Sequence, residues 1–346
     1  MKKILYIDHS FHQKTSSTVF FRRILEDNFQ VELLWDESWK GGKKISTKQI
    51  NSHDCEAVVF FQVLPSISEL KKINRKIIWL PMFDDVDRLP KVFWQELTTV
   101  SIKIISFCQH LTNIANEVGL DNINLQYFLN PAEYSQVLDY KTKRIFLWQR
   151  QDIGFPQLKS LFGNQEISQV ILKLVADPYF KSEEPSREDI EKYNIQIIRS
   201  DTKKQQYLKL VQGCNIFISP RRSEGIGMSF LEAMSMGLAV VAFDNPTMNE
   251  YIENGKTGYL FSGKEKINLD NLEQIGKNAR DKSVIGYKSW QKSIPRMIEF
   301  INSEFQLPAK YNLLWLVPKA INFVRKNVFG QLYRIKQFAK YNLRSK

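Results

Sequence analysis

The sequence predicts an α/β protein of two domains, each a mainly parallel β-sheet with helices on both faces. Three observations carry that expectation. The chain has 346 residues, too many for one ordinary core and suited to two domains of about 150 residues each. Its residues are 43% hydrophobic and 12% aromatic, the composition of a folded globular protein. Short apolar runs alternate with amphipathic stretches, stop at a polar break and start again, which is how strand–helix–strand units read.

In the first half, strands are expected at 3–8, 29–34, 57–62, 76–81 and 103–107, with helices at 17–27, 66–73 and 108–118. Asn130 and Pro131 mark a break, and 139–144 reads as a polar linker. The second half repeats the alternation, with strands expected at 145–148, 170–175, 195–199, 215–219 and 238–243. An amphipathic helix at 201–213 carries Tyr207, Leu208 and Val211 on one face. Helices at 272–279 and 287–305 follow, the second with Pro295 as a kink. These boundaries give domains of 1–138 and 139–305 and a C-terminal tail of 306–346.

Composition narrows the setting. Cys55, Cys108 and Cys214 are odd in number and share no metal-ligand spacing, so they read as reduced, buried thiols of a cytoplasmic protein. Asp8 and His9 end the first apolar run too early for a signal sequence, and no run approaches the roughly 20 apolar residues that span a bilayer. The net charge is +12, and nine of those charges lie between Gln306 and Lys346, where there is no acidic residue. A body at +3 carrying a basic, aromatic tail could meet nucleic acid or an anionic membrane.

The richest stretch runs from Ser219 to Gly237. Glu224 and Glu232 stand eight positions apart with Gly225 and Gly227 between them, at the junction of an expected strand and a helix over 228–236. Such a junction brings free backbone N–H groups and a helix N-terminus up to an anion, and glycine lets the anion approach. Glu224 falls in the loop and Glu232 more than one turn into the helix, so the two carboxylates face different parts of a ligand.

This run, followed by a buried strand and then Asn249, Glu250, Gly255 and Gly258, resembles the nucleotide-sugar site of retaining GT-B glycosyltransferases of the large Glu-x7-Glu family (family 4-like, group 1). The resemblance is good over 145–261 and faint before it. It implies a GT-B fold, two Rossmann-like domains facing across a cleft, and transfer of a sugar from a nucleotide diphosphate donor. It also implies roles. Glu224 would contact the donor sugar; Gly225, Ile226, Gly227, Met228 and Ser229 would hold sugar or phosphate; Glu232 would bind the ribose hydroxyls, as a carboxylate accepting from two vicinal hydroxyls can. Arg150 would clamp the phosphate with Arg222 in support, although Arg221 and Lys159 compete for that part. Ser200 and Asp201 fall where the base-binding loop lies. No metal or other cofactor is expected, and Asp84, Asp85 and Asp87 read as a solvated cluster.

The first half departs from the family. Its first loop, 9–17, has no glycine. His9, His12 and Asp84 are candidates for the acceptor side, and His110 reads as a capping or surface residue. The expected activity is retaining transfer to a glycan or lipid-linked acceptor in bacterial surface polysaccharide synthesis. A sugar-nucleotide epimerase and a nucleic-acid-binding protein are the alternatives; no recognition motif accompanies the basic tail, which argues against nucleic acid. In the tail, Ile321, Val324, Val328, Leu332, Ile335 and Phe338 form an apolar helical stripe amid basic residues. That stripe and Trp315 predict an anchor over 313–346 on the inner face of the cell membrane.

Overall fold

The computed structural model describes residues 1–150, 152–174, 183–199, 202–263 and 265–310, apart from the side chain of Lys40. It contains two six-stranded sheets. The first is built from β1 (Lys3–His9), β2 (Gln30–Asp36), β3 (Ala57–Phe61), β4 (Lys76–Leu80), β5 (Ile102–Ser106) and β6 (Asp121–Asn124). The second is built from β7 (Arg144–Trp148), β8 (Gln169–Lys173), β9 (Ile195–Ile198), β10 (Ile216–Ile218), β11 (Ala239–Phe243) and β12 (Tyr259–Phe261). Every pairing is parallel. The expected α/β architecture is present.

Strand order decides where ligands can sit. The first sheet runs β2-β1-β3-β4-β5-β6 and the second β12-β11-β10-β7-β8-β9. In each, the chain reverses its direction of advance across the sheet, between β1 and β3 and between β7 and β10. The helices that follow on either side of such a point diverge to opposite faces and leave a crevice at the carboxyl ends of the strands. The loops after β1, β3, β7 and β10 therefore define the two candidate binding edges.

The central strands of both sheets are buried on both faces, so they are near-continuous apolar runs. In β3 all five residues are buried, as are all five in β11. One face of the first sheet, with Leu5, Ile7, Val58, Phe60 and Trp79, packs under helices of its own half. The other face, with Ile4, Tyr6, Val59 and Ile78, joins an apolar core that continues into the second half.

Two expected helices, 272–279 and 287–305, are one. Helix Leu272–Asn302 is continuous through Pro295. Its first part packs on helix Met228–Met236 and its last part crosses to the first half, where Trp290 meets Phe20, Phe107 and Tyr127. Lys103, fully buried in β5, ends the crossing. Its Nζ donates to the carbonyls of Phe300 and Ser303 at 2.6 and 2.9 Å, which satisfies the open C-terminal carbonyls of the helix. Strands β6 and β12 are additions to the sequence reading. Of the tail, residues 306–310 run beside the first half, with Ala309 N–H donating to the Thr98 carbonyl at 2.8 Å. The apolar stripe and Trp315 lie outside the described residues, as do Ser200 and Asp201.

Candidate functional site

The loop after β10 carries the second half of the site. Helix Met228–Met236 is buried almost all round and closed by Gly237 in the left-handed conformation. Its N-cap is Gly227, also left-handed at φ +82°, and a Cβ there would lie 1.9 Å from the Phe230 ring. Gly225 is needed for a different reason. A Cβ on it would come within 2.7 Å of Met82 Sδ and 3.1 Å of Asp84 Oδ1. The second half's loop thus touches the loop after β4 of the first half. Glycine at 225 is what allows the two halves to close to that distance.

Glu224 is half-buried in this cleft. Burial pushes its carboxyl upward, while Arg221 and Arg150 pull it down. Arg221 Nη1 lies 2.8 Å from Asp84 Oδ2 and 3.9 Å from Glu224 Oε2, so this guanidinium bridges the halves. Asp84 is pushed up to about 7, chiefly by burial and then by the charges of Glu224 and Asp85, with Arg221 opposing. The expected acceptor-side residue and the expected donor-side residue are therefore brought together. Arg222 turns elsewhere: its side chain is two-thirds exposed, 4.0 Å from Asp152, and lies over the Phe243 ring.

Glu232 sits deeper, 2% exposed. One carboxylate oxygen pairs with Lys204; Oε2 is buried with no hydrogen-bond partner. Burial pushes its pKa upward against the pull of Lys204. A half-used buried carboxylate costs free energy, and hydroxyl donors from a ligand would relieve that cost.

Around these carboxylates stands a cationic wall that the sequence reading saw only in part. Arg150, after β7, lies over the Trp148 ring at 4.1 Å, and Lys173, at the end of β8, lies over the same ring at 4.2 Å. Lys173 is 4% exposed and donates to Thr202 Oγ1 at 2.9 Å. Trp148 and Tyr207 complete the group. A lysine ending a strand as apolar as Val170–Leu172 was the available signal, since burying a lone ammonium is costly. Lys159, the other candidate, pairs with Asp189 at 2.7 Å on the outside of its helix.

The first half's edge is held by side chains rather than glycines. Asp8, fully buried at the end of β1, accepts from the His9 N–H at 2.8 Å and from Thr18 Oγ1 at 2.8 Å. It also contacts His12 Nδ1 at 2.7 Å and the Tyr6 hydroxyl at 3.3 Å. His12 is thereby fixed in orientation. His9 Nε2 meets Gln62 Oε1, just after β3, at 3.1 Å, and Gln62 passes the line on to Asp85. His9, His12 and Asp84 are thus on one edge, linked through Gln62 and Asp85. Asp8, His9 and His12 are also the group among the described residues whose potential metal-ligand atoms lie within 4.8 Å of one another. His110 stacks edge-on against Phe83 and its N–H is capped by Glu250.

Known proteins fit this geometry. Residues 163–283 match the family model of the glycosyl transferases group 1. Sucrose-phosphate synthase from Thermosynechococcus elongatus superposes with a TM-score of 0.60 at 11% identity, over 87% of this chain and 98% of that one. HepE from Anabaena, solved in complex with UDP-glucose, gives 0.56 at 14% identity, over 86% and 100%. The lipopolysaccharide outer core galactosyltransferase WaaB gives 0.53 at 13% identity, over 95% and 99%. No curated protein sequence matches the chain. The fold is GT-B, and within it the stretch 163–283, which holds the Glu224–Glu232 loop and helix, is similar to the group 1 glycosyltransferases.

Proposed function

We propose that this chain is a group 1 glycosyltransferase that moves a sugar from a nucleotide diphosphate donor to a glycan or lipid-linked acceptor, with retention at the anomeric carbon. The observation that carries the reading is the pairing of two carboxylates, half-buried Glu224 and buried Glu232 with one oxygen unpartnered, with the Gly225–Gly227 loop and the Arg150/Lys173 wall at one strand-order reversal. UDP-glucose bound to HepE, a protein of the same fold, supports a nucleoside diphosphate sugar as the donor class.

In this reading Glu232 receives the ribose hydroxyls on its unpartnered oxygen, and Glu224 receives hydroxyls of the donor sugar. As the glycosidic bond breaks, negative charge grows on the leaving diphosphate. Arg150 and Lys173, positioned on Trp148 before the reaction starts, stabilise it without further reorganisation. Two fixed cations give the charge neutralisation that a divalent ion gives elsewhere, so the reaction is proposed to need no metal. The basic chain of 313–346 is proposed to hold the enzyme on an anionic membrane surface, the setting of lipid-linked acceptors in bacterial surface polysaccharide synthesis. No helix among the described residues is long and apolar enough to cross a membrane.

The test is a thermal-shift panel of UDP-, GDP- and dTDP-sugars with and without EDTA. A ligand at about 100 times its dissociation constant should stabilise by roughly 2.7 kcal/mol. Glu232→Gln should weaken nucleotide binding, and Glu224→Gln should mainly lower turnover. No shift with any nucleotide sugar would sink the donor assignment. Equal loss of nucleotide affinity in both variants would overturn the division of roles.

A further inference from the structure

Beside the acceptor edge, the first half exposes two large aromatics that the proposed reaction has not used. Phe11 is 38% exposed and Trp39 48%, and their rings meet edge to face at 5.3 Å. Trp39 also lies 5.1 Å from the His9 ring. Their placement is built. Asp36, 4% exposed, accepts from the Ser38 and Ile45 N–H groups, both at 2.9 Å, and so pins the turn that carries Trp39. The Ser10 N–H, next to Phe11, donates to the Asp36 carbonyl at 2.9 Å. His9, between the aromatics and the polar line, is 7% exposed and keeps its Nδ1 buried without a partner.

Strand order sets the spacing. Trp39 follows β2, His9 ends β1 and Phe11 follows it, Gln62 follows β3 and Asp84 follows β4, and those four strands are adjacent in that order. Three inter-strand intervals make roughly 14 Å from the β2 end to the β4 end, wider than one pyranose ring. At one end of the row stands Asp84, touching the guanidinium that also faces Glu224. At the other end stands an aromatic pair. Between them lie His9 and Gln62, groups that bond hydroxyls.

We propose that Trp39 and Phe11 form an acceptor subsite for a second sugar ring, so that the acceptor is an oligosaccharide or glycolipid glycan at least two rings long. The proposal rests on the glycosyltransferase reading above. A pyranose presents an apolar face of C–H bonds, which an aromatic ring covers, and an equatorial rim of hydroxyls, which Gln62 and the histidines bond. A lipid phosphate without a sugar fits this edge poorly, because it has no ring face for Trp39 and Phe11 to cover and no rim of hydroxyls for the polar row.

The experiment uses the full chain with UDP present and reads saturation-transfer NMR. The probes are methyl glucoside, galactoside and mannoside, the corresponding disaccharides, and farnesyl phosphate. At least one disaccharide should bind about three- to tenfold more tightly than its monosaccharide, the scale of one aromatic stacking contact. W39A and F11A should abolish that advantage and leave UDP affinity unchanged, and W39F should keep it. Absence of a length preference, an unchanged preference in W39A, or Trp39-dependent binding of farnesyl phosphate overturns the subsite. Failure of every nucleotide to bind the wild-type chain would instead strike the donor reading.

Discussion

The two binding edges solve the same problem by opposite means. At the donor edge, a short contiguous run from Ser219 to Gly237 supplies loop, cap and both carboxylates, and its shape depends on atoms that are missing, the Cβ atoms of Gly225 and Gly227. At the proposed acceptor edge, the shape depends on atoms that are present. Asp8 gathers four partners and Asp36 pins a turn, and the participants come from the ends of four strands. A contiguous site folds with its own helix and can be carried as a motif. A dispersed site exists only once the sheet has assembled.

The sharpest way to break the donor edge is therefore to add atoms. Gly227→Ala places a Cβ in a left-handed backbone, costing about 1–2 kcal/mol, and drives it into the Phe230 ring, where overpacking costs about 1–3 kcal/mol more. Chemical denaturation should show a loss of about 2–5 kcal/mol together with loss of nucleotide binding. Wild-type stability in this variant would mean that the Gly227 cap is not what shapes the loop.

The same contrast explains what could be read from the sequence. Both sheets were legible because strands buried on two faces are unbroken apolar runs, as in Val58–Phe61 and Ala239–Phe243. Edge strands β6 and β12 were not, since the first reads Asp121, Asn122, Ile123, Asn124 and the second has only three residues. The middle of helix Leu272–Asn302 was invisible for another reason: it buries Ser283 and Gly286, small residues that carry no apolar period. Glu224 and Glu232 stand out in the sequence through their spacing. Lys173, inside a strand, and Trp39, inside a polar turn, do not stand out in the sequence, because neither belongs to a contiguous motif.

Where the two edges meet, the comparison can be sharpened by pH. Asp84 is raised to about 7 from an ordinary carboxylate value of 3.8. The folded state therefore holds this proton at pH values where the unfolded chain has released it. Between about pH 4 and pH 7 the folded state binds more protons, so this group makes stability fall as pH rises, by at most about 1.4 kcal/mol per pH unit. Asp84→Asn removes that slope. In urea titrations the stability of wild type relative to the variant should decline from pH 4 to pH 7 and level off above it. A constant difference across that range would show that Asp84 ionises as an ordinary surface carboxylate, and that the edges do not close on it.

The smallest expected effect concerns another contact between the halves. Glu250, which follows β11, reaches across to helix Gln109–Val118 of the first half. It accepts from the N–H groups of Gln109 and His110 at 2.7 and 3.1 Å, and from the Cys108 thiol at 3.1 Å. A carboxylate at a helix N-terminus satisfies open N–H donors and complements the helix dipole, here from a different domain. Burial, and then the Glu250 charge, push the Cys108 thiol up to about 12, which leaves it almost wholly protonated at neutral pH. Glu250→Ala should cost about 1 kcal/mol, the scale of losing one helix cap. It should also lower the thiol pKa and loosen its cover, so that iodoacetamide modifies Cys108 faster than in wild type. Cys55 and Cys214 are buried away from this contact and should react at unchanged rates. If all three cysteines accelerate together, the loss is global unfolding and Glu250 is not a local tie between the halves. If none changes and stability holds, the cap contributes nothing, and the crossing of helix Leu272–Asn302 is what keeps the two edges face to face.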